Sequence, residues 1–201
     1  MQLKKEIKKI TIKDPFQQFT ETERVNEMRY CPLTGRVSRV LGLSLKEFAS
    51  ADQTHIVAES KKTCPFCPQL IDALTPKFIP PLKEQYSWGN ARCFPNAFPY
   101  DENNAVITIT DQHYVAIDMF THDMLSDAFH CAIKFLSDID PVHYPYQSIN
   151  CNYMPAAGSS LVHPHLQIIA SSTPSSYYTD ILSNITINPN LFHDYINTEK
   201  I

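Results

Sequence analysis

Residues 161–168 read Leu-Val-His-Pro-His-Leu-Gln-Ile, which places two imidazoles and an amide at alternate positions. In an extended strand, positions i, i+2 and i+4 face the same way. His163, His165 and Gln167 then form one polar row that Leu161 extends, while Val162, Pro164, Leu166 and Ile168 face the other side. A neutral imidazole can ligate a metal, act as a nucleophile or move a proton. A carboxamide donates and accepts hydrogen bonds without titrating. A strand that buries only apolar groups has no use for three such positions. Taken alone, the pattern also fits polar groups on an exposed strand face.

The second chemical signal is Cys64-Pro-Phe-Cys67. A CxxC pair is either half of a metal knuckle or a redox pair, and no thioredoxin-like βαβ context surrounds this one. A tetrahedral zinc site needs two ligands beyond the two thiolates, and the remaining cysteines and eight histidines supply candidates. Cys31, Cys93, Cys131 and Cys151 read as small buried or half-buried residues. His122 and His130 fall in an expected helix without a metal-like set of partners. Tyr144, Tyr146, Tyr177 and Tyr178 read as packing residues rather than a base-stacking platform.

Something must hold these groups in place. At 201 residues, 43% of them apolar and 11% aromatic, the chain suits one domain with a real core. A formal net charge of -4 gives no electrostatic case for nucleic acid or a membrane surface. There is no apolar run near membrane-spanning length, and the basic N-terminus has no apolar stretch behind it, so neither a span nor a signal peptide is expected. A cytoplasmic location follows by default, with cysteines as thiols or metal ligands. The 4 glycines, Gly35, Gly42, Gly89 and Gly158, cannot assemble a Rossmann fingerprint or a P-loop.

Residues 1–28 read as a polar leader with some helix, and residues 29–201 as the domain. Within it, 36–41 is strand-like, 45–59 weakly helical, and 61–82 a proline-rich loop. A short strand is expected at 92–95. Residues 105–110 and 113–118 alternate and suggest a hairpin across Asp111-Gln112. Thr121 can cap a helix reaching about Ile139, with Leu125, Phe129, Ile133 and Leu136 at helical spacing. Strands follow near 147–153 and 161–170, and the tail from 177 reads as one or two helices. The order implies an α+β domain, an antiparallel sheet with packed helices.

Further landmarks accompany the histidine row along the chain. The chain has Arg29-Tyr-Cys-Pro-Leu-Thr-Gly35, Cys64-Pro-Phe-Cys67, Asn96-Ala-Phe-Pro99, Asp111-Gln112-His113, Asn152, Ala157-Gly-Ser-Ser160 and His163-Pro-His-Leu-Gln167. This set resembles the N-terminal half of the galactose-1-phosphate uridylyltransferase family, in the histidine-triad superfamily. The resemblance runs from about residue 29 to 168. It departs at Arg36-Val-Ser-Arg39, where the family's arginine-bearing segment is not matched, and at Leu166, where glycine is common. The family has two similar halves and this chain covers the first, so it is either a fragment or a short branch.

The resemblance implies a histidine-triad-like domain with zinc on Cys64, Cys67, His113 and His163. His165 would be the nucleophile, and Gln167 would hold the phosphoryl group. Asn152, Gly158, Ser159 and Ser160 would line the phosphate and sugar side, and Asn96 the nucleoside side. Gln167 stands where related hydrolases carry a third histidine, which implies transfer to a second acceptor rather than to water. The implied partners are a nucleoside diphosphate sugar and a sugar 1-phosphate, most simply UDP-glucose and galactose 1-phosphate in galactose metabolism, within a homodimer that completes the site. Two alternatives remain: a phosphorylase of ADP-sugars or dinucleoside polyphosphates, and a zinc-stabilised nucleotide-binding module without turnover.

Overall fold

The structure, a computed structural model, describes residues 3–41 and 52–199. Its strands are β1 (Lys5–Asp14), β2 (Thr20–Tyr30), β3 (Val37–Leu41), β4 (Tyr86–Trp88), β5 (Ala91–Pro95), β6 (Asn103–Thr108), β7 (Tyr146–Asn150) and β8 (His165–Ser171). Its helices are α1 (Thr54–Lys61), α2 (Ile71–Leu74), α3 (His122–Ser137), α4 (Ser176–Ile187) and α5 (Leu191–Glu199). The fold is α+β with antiparallel sheets, as the sequence implies. The chain divides into two compact units, Met1–Ser50 with Pro174–Ile201, and Ala51–Thr173. No helix among the described residues is long and apolar enough to cross a membrane.

In the first unit β1 and β2 pair from Lys5 opposite Arg29 to Asp14 opposite Thr20, and β3 pairs with β2. The N-terminal stretch is therefore a hairpin rather than a polar leader with helix, and the expected boundary between residues 28 and 29 falls inside β2. The isoleucines and threonines of β1 favour extended backbone, and opposite charges meet diagonally across the pair, as in Lys5–Glu27 and Lys9–Glu23. At the tip Asp14 accepts the Phe16 N–H at 2.9 Å and pairs with Arg24, while Gln18 and Phe19 take φ of 53° and 59°. The Pro-Leu-Thr-Gly segment is a turn closed by Gly35 at φ 72°. There Asn184 of α4 donates to the Leu33 carbonyl at 3.0 Å, and Arg36 pairs with Asp180 at 2.9 Å.

The second unit is a five-stranded sheet in the order β4-β5-β6-β8-β7 with α3 on one face. Register decides which residues share the other face. Arg92 lies opposite Thr108 and Thr108 opposite His165; one step along, Phe94, Val106, Gln167 and Asn150 form a second row. The intervening residues, Ala91, Cys93, Ala105, Ile107, Leu166, Ile168 and Ala170, pack under α3. Phe135 is wholly buried there, stacked on Phe78 at 5.0 Å and edge-on to Tyr86 at 5.6 Å. At the sheet edge the Trp88 ring lies flat on His130, centroids 5.0 Å apart, with the Lys134 ammonium 4.9 Å from its centre.

Thr121 caps α3 by accepting the Met124 N–H at 3.3 Å. The buried stripe of that helix is Ala128, Cys131, Ala132 and Phe135, however, and Leu125, Phe129 and Ile133 are exposed. Small residues let the helix approach the sheet closely, so size rather than hydrophobicity selects the face. The expected hairpin across Asp111-Gln112 is absent: residues 113–118 form no strand. Both edges of β6 are already paired, with β5 and β8, which leaves no ladder for such a strand. The weak helix expected at 45–59 lies partly outside the described residues; its described part is α1.

Candidate functional site

The CxxC sits in a loop between α1 and α2, where the Cys67 N–H donates to the Cys64 carbonyl at 3.3 Å and the N–H groups of Leu70 and Ile71 donate to the Cys67 carbonyl. This knuckle presents both sulfurs to His113 and His163. All four residues are buried, and their ligating atoms lie within 4.8 Å of one another. His163 Nδ1 is 3.8 Å from each sulfur, and His113 Nδ1 is 3.4 Å from Cys67 Sγ. A tetrahedral ion with bonds of about 2.0–2.3 Å holds its ligand atoms about 3.3–3.8 Å apart. Those three separations fit this range, and the cluster can hold a metal ion.

Hydrogen bonds fix both ring tautomers in the form that ligation needs. The Nε2–H of His163 donates to the Thr110 carbonyl at 2.8 Å, leaving the Nδ1 lone pair on the sulfurs. His113 Nε2 meets Ser60 Oγ at 3.0 Å, and that hydroxyl spends its own proton on the Val57 carbonyl at 3.2 Å, so Nδ1 again carries the lone pair. Burial holds His163 down to about 4, and lowers His113 in the same direction. Burial, reinforced by Cys64, pushes the Cys67 thiol up to about 11. Neutral imidazoles are ready ligands; the thiols need a cation to make their deprotonation favourable.

His165 opens β8, while His163 precedes the strand, held by the Thr110 contact. The imidazole of His165 is buried at 5% exposure, and its Nδ1 lies 2.8 Å from the His163 carbonyl. A carbonyl only accepts, so Nδ1 carries the proton and Nε2 the lone pair. Burial lowers the proton affinity of the ring, against the opposing pull of that carbonyl. Phe66, between the two cysteines, sits edge-on to His165 at 5.4 Å and to His163 at 6.1 Å. One aromatic ring thus packs against a member of the cluster and against the free imidazole.

Gln167 shares the face of His165, and its Oε1 accepts from the Tyr100 hydroxyl at 2.5 Å. The segment after β7 makes a tight turn in which Met154 takes φ 69° and Gly158 φ 87°. The N–H groups of Ala157 and Ser159 both donate to the Met154 carbonyl. Among the described residues, and its own chain neighbours apart, no atom lies within 4 Å of where a Gly158 Cβ would stand, so its backbone is open to approach. Asn152 and Ser160 are exposed, whereas Ser159 is buried with its hydroxyl committed to the Leu161 carbonyl at 2.6 Å. Asn96 is not free either. Its Oδ1 accepts the Phe98 N–H at 3.0 Å and its Nδ2 donates to Asn104 at 2.9 Å.

Ser60, Phe66, Tyr100, Thr110 and Tyr153 belong to this site's framework and had no signal of their own in the sequence. Tyr153 clasps the His113 loop, donating to the Val115 carbonyl at 2.5 Å and accepting the Val115 N–H at 3.2 Å. A hollow of about 380 Å³ beside Cys67 and His113 is lined also by Val57, Lys61 and Gln112.

No protein-family model matches the chain. An uncharacterised protein of Archaeoglobus fulgidus is 32% identical over 158 residues, 78% of this chain and 47% of that protein. Among solved structures, the chain is similar to an ADP-glucose phosphorylase of Arabidopsis thaliana with bound ADP-glucose. That likeness has a TM-score of 0.53 at 16% identity, over 87% of this chain and 55% of the other. A GalT-like protein, also from Arabidopsis thaliana, gives a TM-score of 0.53 at 18% identity, over 86% and 54%. The fold is shared with both. The chain spans about half the length of each of these relatives.

Proposed function

We propose that this chain carries the nucleophile half of a nucleotidyltransferase that acts on a nucleoside diphosphate sugar through a covalent nucleotidyl-histidine. The observation that carries the reading is the His165 ring, with Nδ1–H bonded to the His163 carbonyl at 2.8 Å and Nε2 left as a lone pair. Nε2 attacks the α-phosphorus, an N–P bond forms, and the P–O bond to the sugar phosphate breaks, releasing a sugar 1-phosphate. The ring becomes a phosphorylated imidazolium, whose Nδ1–H strengthens its bond to the His163 carbonyl as positive charge develops. A second phosphate oxygen then attacks the same phosphorus, and Nε2 leaves with its lone pair.

The other residues fit supporting roles in this reading. Gln167 donates to the phosphoryl oxygens, and the open backbone at Gly158, with Ser160 and Asn152, faces the anionic group. Zinc is the ion that best suits two thiolates and two imidazoles, and it would lock the CxxC loop to the residues beside the nucleophile. Asn96, whose side chain braces its loop, would keep its place on the nucleoside side. UDP-glucose with a hexose 1-phosphate acceptor, most simply galactose 1-phosphate, is the favoured pair, on the strength of Gln167 and the motif order. ADP-glucose with phosphate as acceptor is the second reading, supported by the fold shared with an ADP-glucose phosphorylase.

Intact mass at alkaline pH, after separate incubation with UDP-glucose, ADP-glucose and a dinucleoside polyphosphate, tests the proposal. A uridylyl adduct supports the first reading and an adenylyl adduct the second. A metal-loaded, folded protein that acquires neither would instead be a binding module.

A further inference from the structure

We infer that Tyr100 is a positioning residue for this reaction: its hydroxyl holds the Gln167 amide so that Nε2, not Oε1, faces the phosphoryl group beside His165. The inference rests on the nucleotidyl-transfer reading and adds a residue to it. A carboxamide has one acceptor end and one donor end, of nearly equal size. Phosphoryl oxygens only accept, so a carboxamide serves them in one orientation and repels them in the other. A Gln167 amide without a fixed partner would populate both. The Tyr100 hydroxyl donates to Oε1 at 2.5 Å, which occupies the carbonyl end and leaves the two N–H bonds for a ligand.

The loop that carries Tyr100 is built to hold this contact. Asn96 closes it at the start, taking the Phe98 N–H and donating to Asn104, and the Asn96 N–H donates to the Asn104 carbonyl at 2.9 Å. Asn104 in turn donates from Nδ2 to the Ile168 carbonyl at 2.9 Å, on the residue next to Gln167. Tyr100 and Gln167 are therefore tied to the same pair of strands, β6 and β8. Pro99, immediately before Tyr100, restricts the approach further through its fixed φ. Tyr100 is 59% exposed, so its ring does not support the core and phenylalanine fits in its place.

The test compares wild type, Tyr100→Phe, Gln167→Ala and the double variant, with UDP-glucose and ADP-glucose as donors. Losing one orienting hydrogen bond should slow nucleotidyl-His165 formation about 3- to 10-fold in Tyr100→Phe. The donor KM should stay within about twofold, because ground-state binding is largely kept. In the Gln167→Ala background the same change should cost nothing further. Equal losses in both backgrounds, or wild-type rates in Tyr100→Phe, would overturn the inference. If wild type forms no adduct with any donor, the functional reading fails instead. The Gln167 side-chain amide signals in an ¹⁵N spectrum then still decide the contact: they shift in Tyr100→Phe if the hydroxyl holds the amide, and stay in place if it does not.

Discussion

The work divides among neighbouring residues. His163 and His165 are two apart, yet their ring nitrogens are committed in opposite senses. His163 bonds through Nε2 and presents Nδ1 to the sulfurs; His165 bonds through Nδ1 and keeps Nε2. Replacing His165 with alanine should abolish adduct formation while metal content, measured by atomic emission, stays at the wild-type level. Loss of metal in that variant would contradict the division. Cys64→Ser should do the reverse, removing the metal and about 10 °C of melting temperature together; an unchanged metal content there would make the knuckle incidental. The pattern of alternate histidines and the CxxC were legible because motif spacing writes them into the chain. Ser60, the Thr110 carbonyl and Tyr100 were not, because each meets its partner only after distant segments are folded together.

At the scale of elements, strand pairing and helix burial follow competition for space. The α+β class and most strands could be read from alternation. The hairpin expected after β6 failed because alternation says nothing of how many partners a strand already has. Of the expected α3 face only Leu136 packs against the core, while Ala128, Cys131 and Ala132, weakly hydrophobic but small, are buried in place of Leu125, Phe129 and Ile133. Phe135→Ala should therefore cost about 3–5 kcal/mol in urea unfolding. Ile133→Ala, on the exposed side, should fall within about 0.5 kcal/mol of wild type. Equal costs would restore the original reading of the helix. Thr121→Ala should cost about 1 kcal/mol through the lost cap.

For the whole molecule, buried imidazoles couple stability to pH. In metal-free protein the His163 value is lowered from an ordinary 6.5 to about 4. The unfolded chain then binds protons that the folded one refuses. Stability is fully present above about pH 6.5 and declines as pH falls toward 4, by an amount on the order of 3 kcal/mol. The urea midpoint of chelated protein should drop between pH 7 and pH 5, and a flat profile would rule this out. The chain's single tryptophan makes part of this visible. Trp88, stacked on His130 with the Lys134 ammonium over its ring, sits in the unit that carries Cys64, Cys67, His113 and His163, and the hairpin unit has no indole. Tryptophan emission, excited at wavelengths that tyrosine does not absorb, is thus an optical probe of one unit alone. Compared with circular dichroism, which sees both, it tells whether the two melt as one cooperative body or in succession.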